Sequence, residues 1–337
     1  MSKEADQIFA SLKKREFHPV YFFYGEEPFY IDELTTWMEQ NVLDEAEKGF
    51  NQTIVYGRDV SARDVIDLAR RFPMMGSYQL VIVKEAQHIL NMDEPLKAYL
   101  EHPLDSTILV INYKYKKLDK RKALYKILSK SDKCVLFESA KLYDSKIPAW
   151  ISHRVMGMGY TINPKSVRLL AEYLGADLGR INNELGKLMI NLKPGDAITE
   201  DLIEQNIGIS KDFNIFELTN AMGKRDVGKA LRIVQYFEAN PKQNPLQMVS
   251  VLVYSYFMKV FLYHFVSRES RSGIASKLGV SPYFVDDYKF AAQNYTARQV
   301  REIVAELRQI DLKSKGLGSV DASSYGPLKE MIFRRMS

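Results

Sequence analysis

The stretch Val20-Tyr21-Phe22-Phe23-Tyr24-Gly25-Glu26-Glu27-Pro28-Phe29 decides the fold. An unbroken apolar run that stops at a glycine has the pattern of a short strand buried on both faces, as in a parallel sheet. A helical pattern follows over 29–47. Gln52 to Tyr56 reads as a second strand, and Ser61-Ala62-Arg63-Asp64 resembles a capping box opening a helix that ends near Arg71. Leu80-Val81-Ile82-Val83, Ile108-Leu109-Val110-Ile111 and Cys134-Val135-Leu136-Phe137 are three further apolar strands, the last preceded by a basic helix over 119–130. Strands alternating with helices imply a largely parallel sheet covered on both faces.

A strand, a glycine and a helix also open a nucleotide-binding domain. A phosphate-binding loop needs several glycines, so that the backbone can wrap the phosphates. It also needs a lysine and a Ser/Thr at the helix start. Here Gly25 stands alone, Glu26 and Glu27 repel phosphate, and no Gly-Lys-Ser/Thr follows. The residues therefore read as a degenerate phosphate loop: a tight strand–helix turn whose carboxylates favour the helix N-terminus. No Gly-x-Ser-x-Gly elbow or His-Glu-x-x-His pair is present, and Asp286-Asp287 reads as a solvated helix face. Five histidines and one cysteine are scattered without metal-ligand spacing. The expectation is a chain without catalytic residues, metal or cofactor.

After Phe137 the strand signal stops. Segments 144–158, 163–174 and 177–192 read as helices. Asn163-Pro164 supplies a cap and a first-turn proline, and Thr199 caps a shorter helix. From Phe213 onward the pattern is helical again, with breaks near Gly223, Asn240-Pro241, Ser272-Gly273, Ser281-Pro282 and 316–318. The fold class is thus α/β plus all-α. The expected division is an α/β domain over 1–140, a small helical domain over 141–210 and a larger helical domain over 211–337. The apolar segment Leu246–Val266 is long enough to cross a membrane, but Ser250, Ser255, Lys259 and His264 interrupt it. A helix buried on most sides of a bundle is the better reading, with no membrane partner.

The 337 residues are 46% hydrophobic and 26% charged, which excludes a disordered, collagenous or disulfide-scaffold chain. The single Cys134 fits a reducing, cytoplasmic setting. The net charge of +5 is unevenly spread. Residues 1–140 hold 20 Lys/Arg against 22 Asp/Glu, whereas 211–337 hold 19 against 12. This excess, and the basic run 114–133 with Tyr113, Tyr115 and Tyr125 interleaved, suit phosphate contact and base stacking. They equally suit a solvated helix face whose lysine stems cover the sheet. Lys116, Lys117, Lys120, Arg121 and Lys122, with Lys313 and Lys315 near the end, are the candidate contacts to DNA or an acidic partner.

At this point a family signature emerges. The opening run through Tyr30-Ile31-Asp32-Glu33 resembles the start of the delta subunit of the bacterial DNA polymerase III clamp loader. The resemblance continues at Phe72-Pro73-Met74-Met75-Gly76-Ser77-Tyr78-Gln79 and at Lys117-Leu118-Asp119-Lys120-Arg121-Lys122. It resumes from Ala176 to Leu188, at Phe213-Asn214-Ile215-Phe216-Glu217-Leu218 and at Asp311-Leu312-Lys313-Ser314-Lys315-Gly316. It implies an AAA+-like N-terminal domain, a helical lid and a helical collar, with no working nucleotide site. It implies gamma/tau and delta-prime subunits as ring neighbours, and a beta sliding clamp opened at one interface for loading onto primed DNA. By membership of that complex the chain would count as part of a DNA-directed DNA polymerase, a nucleotidyltransferase.

The resemblance puts the clamp contact on two apolar residues before the third strand, here Met74 and Met75, with Phe72 as a neighbouring anchor. The family more often has leucine and phenylalanine there. Methionine is flexible and polarizable and adapts to an apolar pocket. The residues alone leave all three open to a second reading, as domain core or the lead-in to a strand. The competing functions are a nucleotide-dependent enzyme, which the missing phosphate lysine disfavours, and a general nucleic-acid-binding protein of a replication or repair complex.

Overall fold

The computed structural model describes residues 3–74, 76–190, 192–208, 210, 212–317 and 324–336. The chain forms two compact units, Met1–Tyr143 and Asp144–Ser337.

The first unit is built on β1 (Val20–Gly25), β2 (Gln52–Tyr56), β3 (Gln79–Lys84), β4 (Thr107–Lys114) and β5 (Cys134–Glu138). Their order across the sheet is β2-β3-β4-β1-β5, and every pairing is parallel. Val20 of β1, which lies between β4 and β5, is in register with Leu109 of β4 and Cys134 of β5. All residues of β1 are buried, because helices cover both sides. These are α1 (Lys3–Lys13), α2 (Pro28–Asn41), α3 (Glu45–Asn51), α4 (Ala62–Ala69), α5 (Asp93–Glu101) and α6 (Ala123–Lys130). Val20, Phe22 and Tyr24 point into one core with Val81, Val83, Leu109, Ile111 and the inner faces of α4, α5 and α6. Tyr21 and Phe23 point to the other face, where Phe23 meets Phe137 edge-on at 6.0 Å. Cys134 packs in this sheet, and burial pushes its thiol up to about 12, leaving it unreactive near neutral pH.

Two local expectations need correction. The helical pattern over 29–47 is two helices, because α2 ends at Asn41 and Asp44 starts α3, with the Glu47 carboxylate accepting from the Asp44 N–H at 3.2 Å. The basic helix begins at Ala123, not at Asp119. Asp119 instead turns back on Arg121, accepting from its backbone N–H and its guanidinium.

The second unit holds α7 (Ile147–Gly157), α8 (Pro164–Leu174), α9 (Leu178–Met189) and α10 (Glu200–Ile207). The strand signal does not quite stop: β6 (Thr161–Ile162) and β7 (Ala197–Ile198) form a short parallel pair beside these helices. Then come α11 (Ile215–Gly223), α12 (Val227–Ala239), α13 (Leu246–Val266), α14 (Arg271–Leu278), α15 (Val285–Asn294), α16 (Ala297–Ser314) and α17 (Gly326–Met336). One core cluster runs through these later helices from Phe216 to Met336. Arg168 of α8 ties the earlier helices to it. Its guanidinium lies 4.3 Å from the Phe216 ring centre and 4.7 Å from that of Phe284, and it donates to Glu172 at 2.8 Å.

α13 departs from its expected burial on most sides. Val249, Val253, Tyr256, Phe257, Val260 and Tyr263 enter the core. Val251, Tyr254, Met258, Leu262 and Phe265 form an exposed stripe on the other face, and Phe265 is 70% exposed. This helix has the length and hydropathy of a membrane span, yet one face is committed to a helical bundle.

α17 is clipped to α16 by charge. Arg335 donates to Glu302 at 2.6 Å and, through Nε, to Glu306 at 2.7 Å, and Arg334 reaches Glu306 at 2.7 Å. Burial alone would raise the Glu306 carboxyl, but the hydrogen bonds from Arg335 and Arg334 outweigh it and hold the group below its ordinary range. A depressed carboxylate contributes stability that is fully present above the ordinary glutamate range and is lost as pH falls through its own, lower value in the folded protein. Because the pair is near the surface, Glu306→Gln should cost at most about 1 kcal/mol near pH 7, and that cost should shrink as pH falls below the ordinary glutamate range. Denaturant melts of both proteins across that range check this.

Candidate functional site

Parallel strands give the α/β unit two unlike edges. The carboxyl edge, where ligands of open α/β sheets usually bind, carries the degenerate phosphate loop. Gly25 has φ of +143°, which glycine alone adopts readily, and a Cβ there would lie 2.0 Å from the carbonyl oxygen of Ser139. That same carbonyl accepts the Glu27 N–H at 3.1 Å, while the Ser139 N–H donates to Tyr24 at 2.7 Å. The Glu27 N–H, one of the donors a phosphate would need, is therefore already bound by the chain. Lys116 closes over Gly25 in an antiparallel bridge. The buried Glu27 side chain accepts the Phe29 N–H at 3.0 Å and caps α2, with Pro28 in its first turn.

Carboxylates around this loop pair with lysines of the basic run. Glu26 pairs with Lys117 at 2.9 Å and Glu138 with Lys120 at 3.1 Å, and Lys114 pairs with Asp32. The Glu26 hydrogen bond and charge raise Lys117 above its ordinary range, and Glu138 does the same for Lys120. Arg121 is held by Asp119 at 2.9 Å. Lys116 and Lys122 are exposed beside this network. Of the tyrosines, Tyr113 packs on Phe22 at 6.2 Å and Tyr125 on Tyr24 at 6.5 Å, so both are tied to the sheet, and Tyr115 is exposed. Lys313 and Lys315 are at the end of α16 in the other unit. Lys315 binds Asp311 at 2.7 Å, and Gly316, with φ of +86°, turns the chain out of the helix.

The amino edge of the same sheet holds Phe72 and Met74, in the segment between α4 and β3. Neither is core: Phe72 is 74% exposed and Met74 61%. Met75 lies outside the described residues. Both sides of the segment are fixed. Before it, Leu68 of α4 accepts from the Gln79 side chain at 2.8 Å, which ties α4 to the start of β3. After it, Tyr78 packs edge-on against Phe17 at 5.5 Å. In the middle, Asn51 at the end of α3 receives the Met74 N–H at 2.6 Å and donates to the Met74 carbonyl at 2.8 Å. The adjoining Phe50 is also exposed, so α3 adds a third large apolar side chain to this edge. Reading the sequence missed Phe50 and Asn51. Their only sequence signal is an asparagine closing a short helix just before β2, and that says nothing about a partner 23 residues away.

With this geometry in view, comparison with known proteins settles the family. A model of the DNA polymerase III delta subunit matches residues 21–138, and a model of the C-terminal domain of the same protein matches residues 212–323. The chain belongs to the delta-subunit family of DNA polymerase III. Bacillus subtilis (strain 168) DNA polymerase III subunit delta is 27% identical over 318 residues, covering 91% of each chain. The solved structure of the Bacillus subtilis DNA clamp loader delta protein superposes with a TM-score of 0.55 at 25% identity, covering 98% of this chain and 99% of that one. The fold is accordingly an AAA+-like α/β domain followed by segments that are helical apart from the short β6–β7 pair.

An occupied loop has a direct consequence. Titration with a fluorescent ATP analogue should show no saturable binding up to about 1 mM, a limit corresponding to about 4 kcal/mol of binding free energy.

Proposed function

We propose that this delta-family protein works as the clamp-binding, mechanical member of its clamp loader, acting in DNA replication through binding rather than catalysis. In this reading Phe72, Met74 and Met75 enter an apolar pocket on the beta sliding clamp. The protein then holds one ring interface open while the clamp is placed on primed DNA. The observation that carries the reading is the exposure of Phe72 and Met74 on a segment fixed on both sides. A monomer gains nothing from presenting two large apolar side chains to water on a rigid edge, whereas a partner pocket gains the burial of both.

Two further observations support it. The carboxyl edge of the sheet is filled by the chain's own carbonyl, carboxylates and lysines, which suits a protein that leaves ATP hydrolysis to its neighbours. The exposed stripe on α13 repeats at spacings of three and four residues, the pattern of a helix that packs on another helix. That suits a collar, residues 211–337, packed against gamma/tau and delta-prime, with residues 141–210 as the lid. Contact with primed DNA through Lys116, Lys122 and Lys313 is secondary, since Lys117, Lys120, Arg121 and Lys315 already have carboxylate partners. A cytoplasmic setting goes with this role.

The test is binding of the purified chain to its own sliding clamp without nucleotide, measured by calorimetry. Wild type should bind, and Met74→Ala should weaken binding by about 30-fold or more, as expected of an anchor worth about 2 kcal/mol. A wild type that ignores the clamp would overturn the reading.

A further inference from the structure

We propose that Asn51 is the positioning residue of the clamp-binding edge, a role that rests on the clamp-binding reading of Met74. Asn51 is 1% exposed, yet a primary amide is costly to bury unless its polar groups are bonded. Both are bonded, and to one residue: Oδ1 accepts the Met74 N–H at 2.6 Å and Nδ2 donates to the Met74 carbonyl at 2.8 Å. A carboxamide can grip the N–H and C=O of a single residue only when both point to the same side of an extended backbone. The contact therefore selects one backbone conformation at Met74 and leaves its side chain facing solvent.

The platform behind Asn51 is itself fixed. α3 runs directly into β2, whose first residue, Gln52, pairs in register with Leu80 of β3. The grip thus links two points of the same sheet, the start of β2 and the lead-in to β3. Gly76 allows the close approach: a Cβ there would meet the Glu47 carboxylate at 2.6 Å and the Asn51 amide nitrogen at 3.0 Å. The arrangement orders the segment before the partner arrives. The ordering cost of a mobile loop is then met in folding, not in binding.

The experiment uses the full chain, its own sliding clamp and a thermodynamic cycle. Asn51→Asp keeps the size and the acceptor for the Met74 N–H but sets a carboxylate oxygen against the Met74 carbonyl. Either Asn51→Asp or the apolar Asn51→Leu should weaken clamp binding by about 10-fold, the scale of ordering a few loop residues. Added to Met74→Ala, the Asn51 change should weaken binding by clearly less than it does alone, because part of what it positions is the Met74 side chain. Fully additive losses would overturn the positioning role, and a residue that merely stabilised the domain would leave clamp binding by the folded variants unchanged. Clamp binding unchanged in both Asn51 variants, while Met74→Ala binds weakly, would overturn the positioning role and leave the clamp reading intact. Unchanged binding by Met74→Ala would overturn the clamp reading and this proposal together. Should neither Asn51 variant fold, amide exchange on the free wild type decides: a slow Met74 amide is expected, and exchange at the rate of an open chain would overturn the proposal.

Discussion

All five strands of the sheet run the same way, and the rest of the α/β unit follows from that constraint. Parallel strands need crossover helices, which bury both faces and leave only the two edges for function. At the carboxyl edge the backbone of β1 turns so tightly at Gly25 that the Ser139 carbonyl occupies the space a side chain would need. Once that carbonyl has taken the Glu27 N–H, the loop has no free donor at that position for a phosphate. At the opposite, amino edge α3 and the segment before β3 meet, and there Phe50, Phe72 and Met74 are exposed.

The two edges differ in chemistry as well as position. The carboxyl edge is a network of charges satisfied within the chain, with Glu26 and Glu138 each answered by a lysine of the basic run. Surface pairs of this kind add little stability, but they spread the positive charge that composition assigns to the 114–133 segment. The amino edge is apolar and rigid. Its energy is held in reserve: the exposed area of Phe72 and Met74 stabilises nothing until a partner covers it.

Much of the fold was legible because strands buried on both faces read as continuous apolar runs, and the runs at Val20, Leu80 and Ile108 carry that signal without help from tertiary contacts, while the run at Cys134 is a half-buried edge strand that is still apolar in sequence. The break between α2 and α3 was hidden because Val42 and Leu43 continue the apolar pattern across it, and only the cap at Asp44 marks it. β6 and β7 are two residues each, too short for any periodicity. α13 carries apolar residues on both its core-facing and its outer sides, and composition cannot distinguish an apolar face in the core from one left for a partner. At the site, the exposed methionine and phenylalanine were found through family resemblance. The grip of Asn51 on Met74 joins residues far apart in sequence, and the pairing of Glu138 with Lys120 closes only when β5 lies beside β1.

The central claim is that the amino edge, held by Asn51, is where this protein meets its clamp. The most direct measurement is a hydrogen-exchange footprint of the full chain with and without its own sliding clamp. The expected result is new protection at residues 50–52 and 72–76, with amides at residues 25–27 and 114–120 unchanged. Protection confined to the carboxyl edge or to the exposed stripe of α13, with residues 72–76 unaffected, would contradict it.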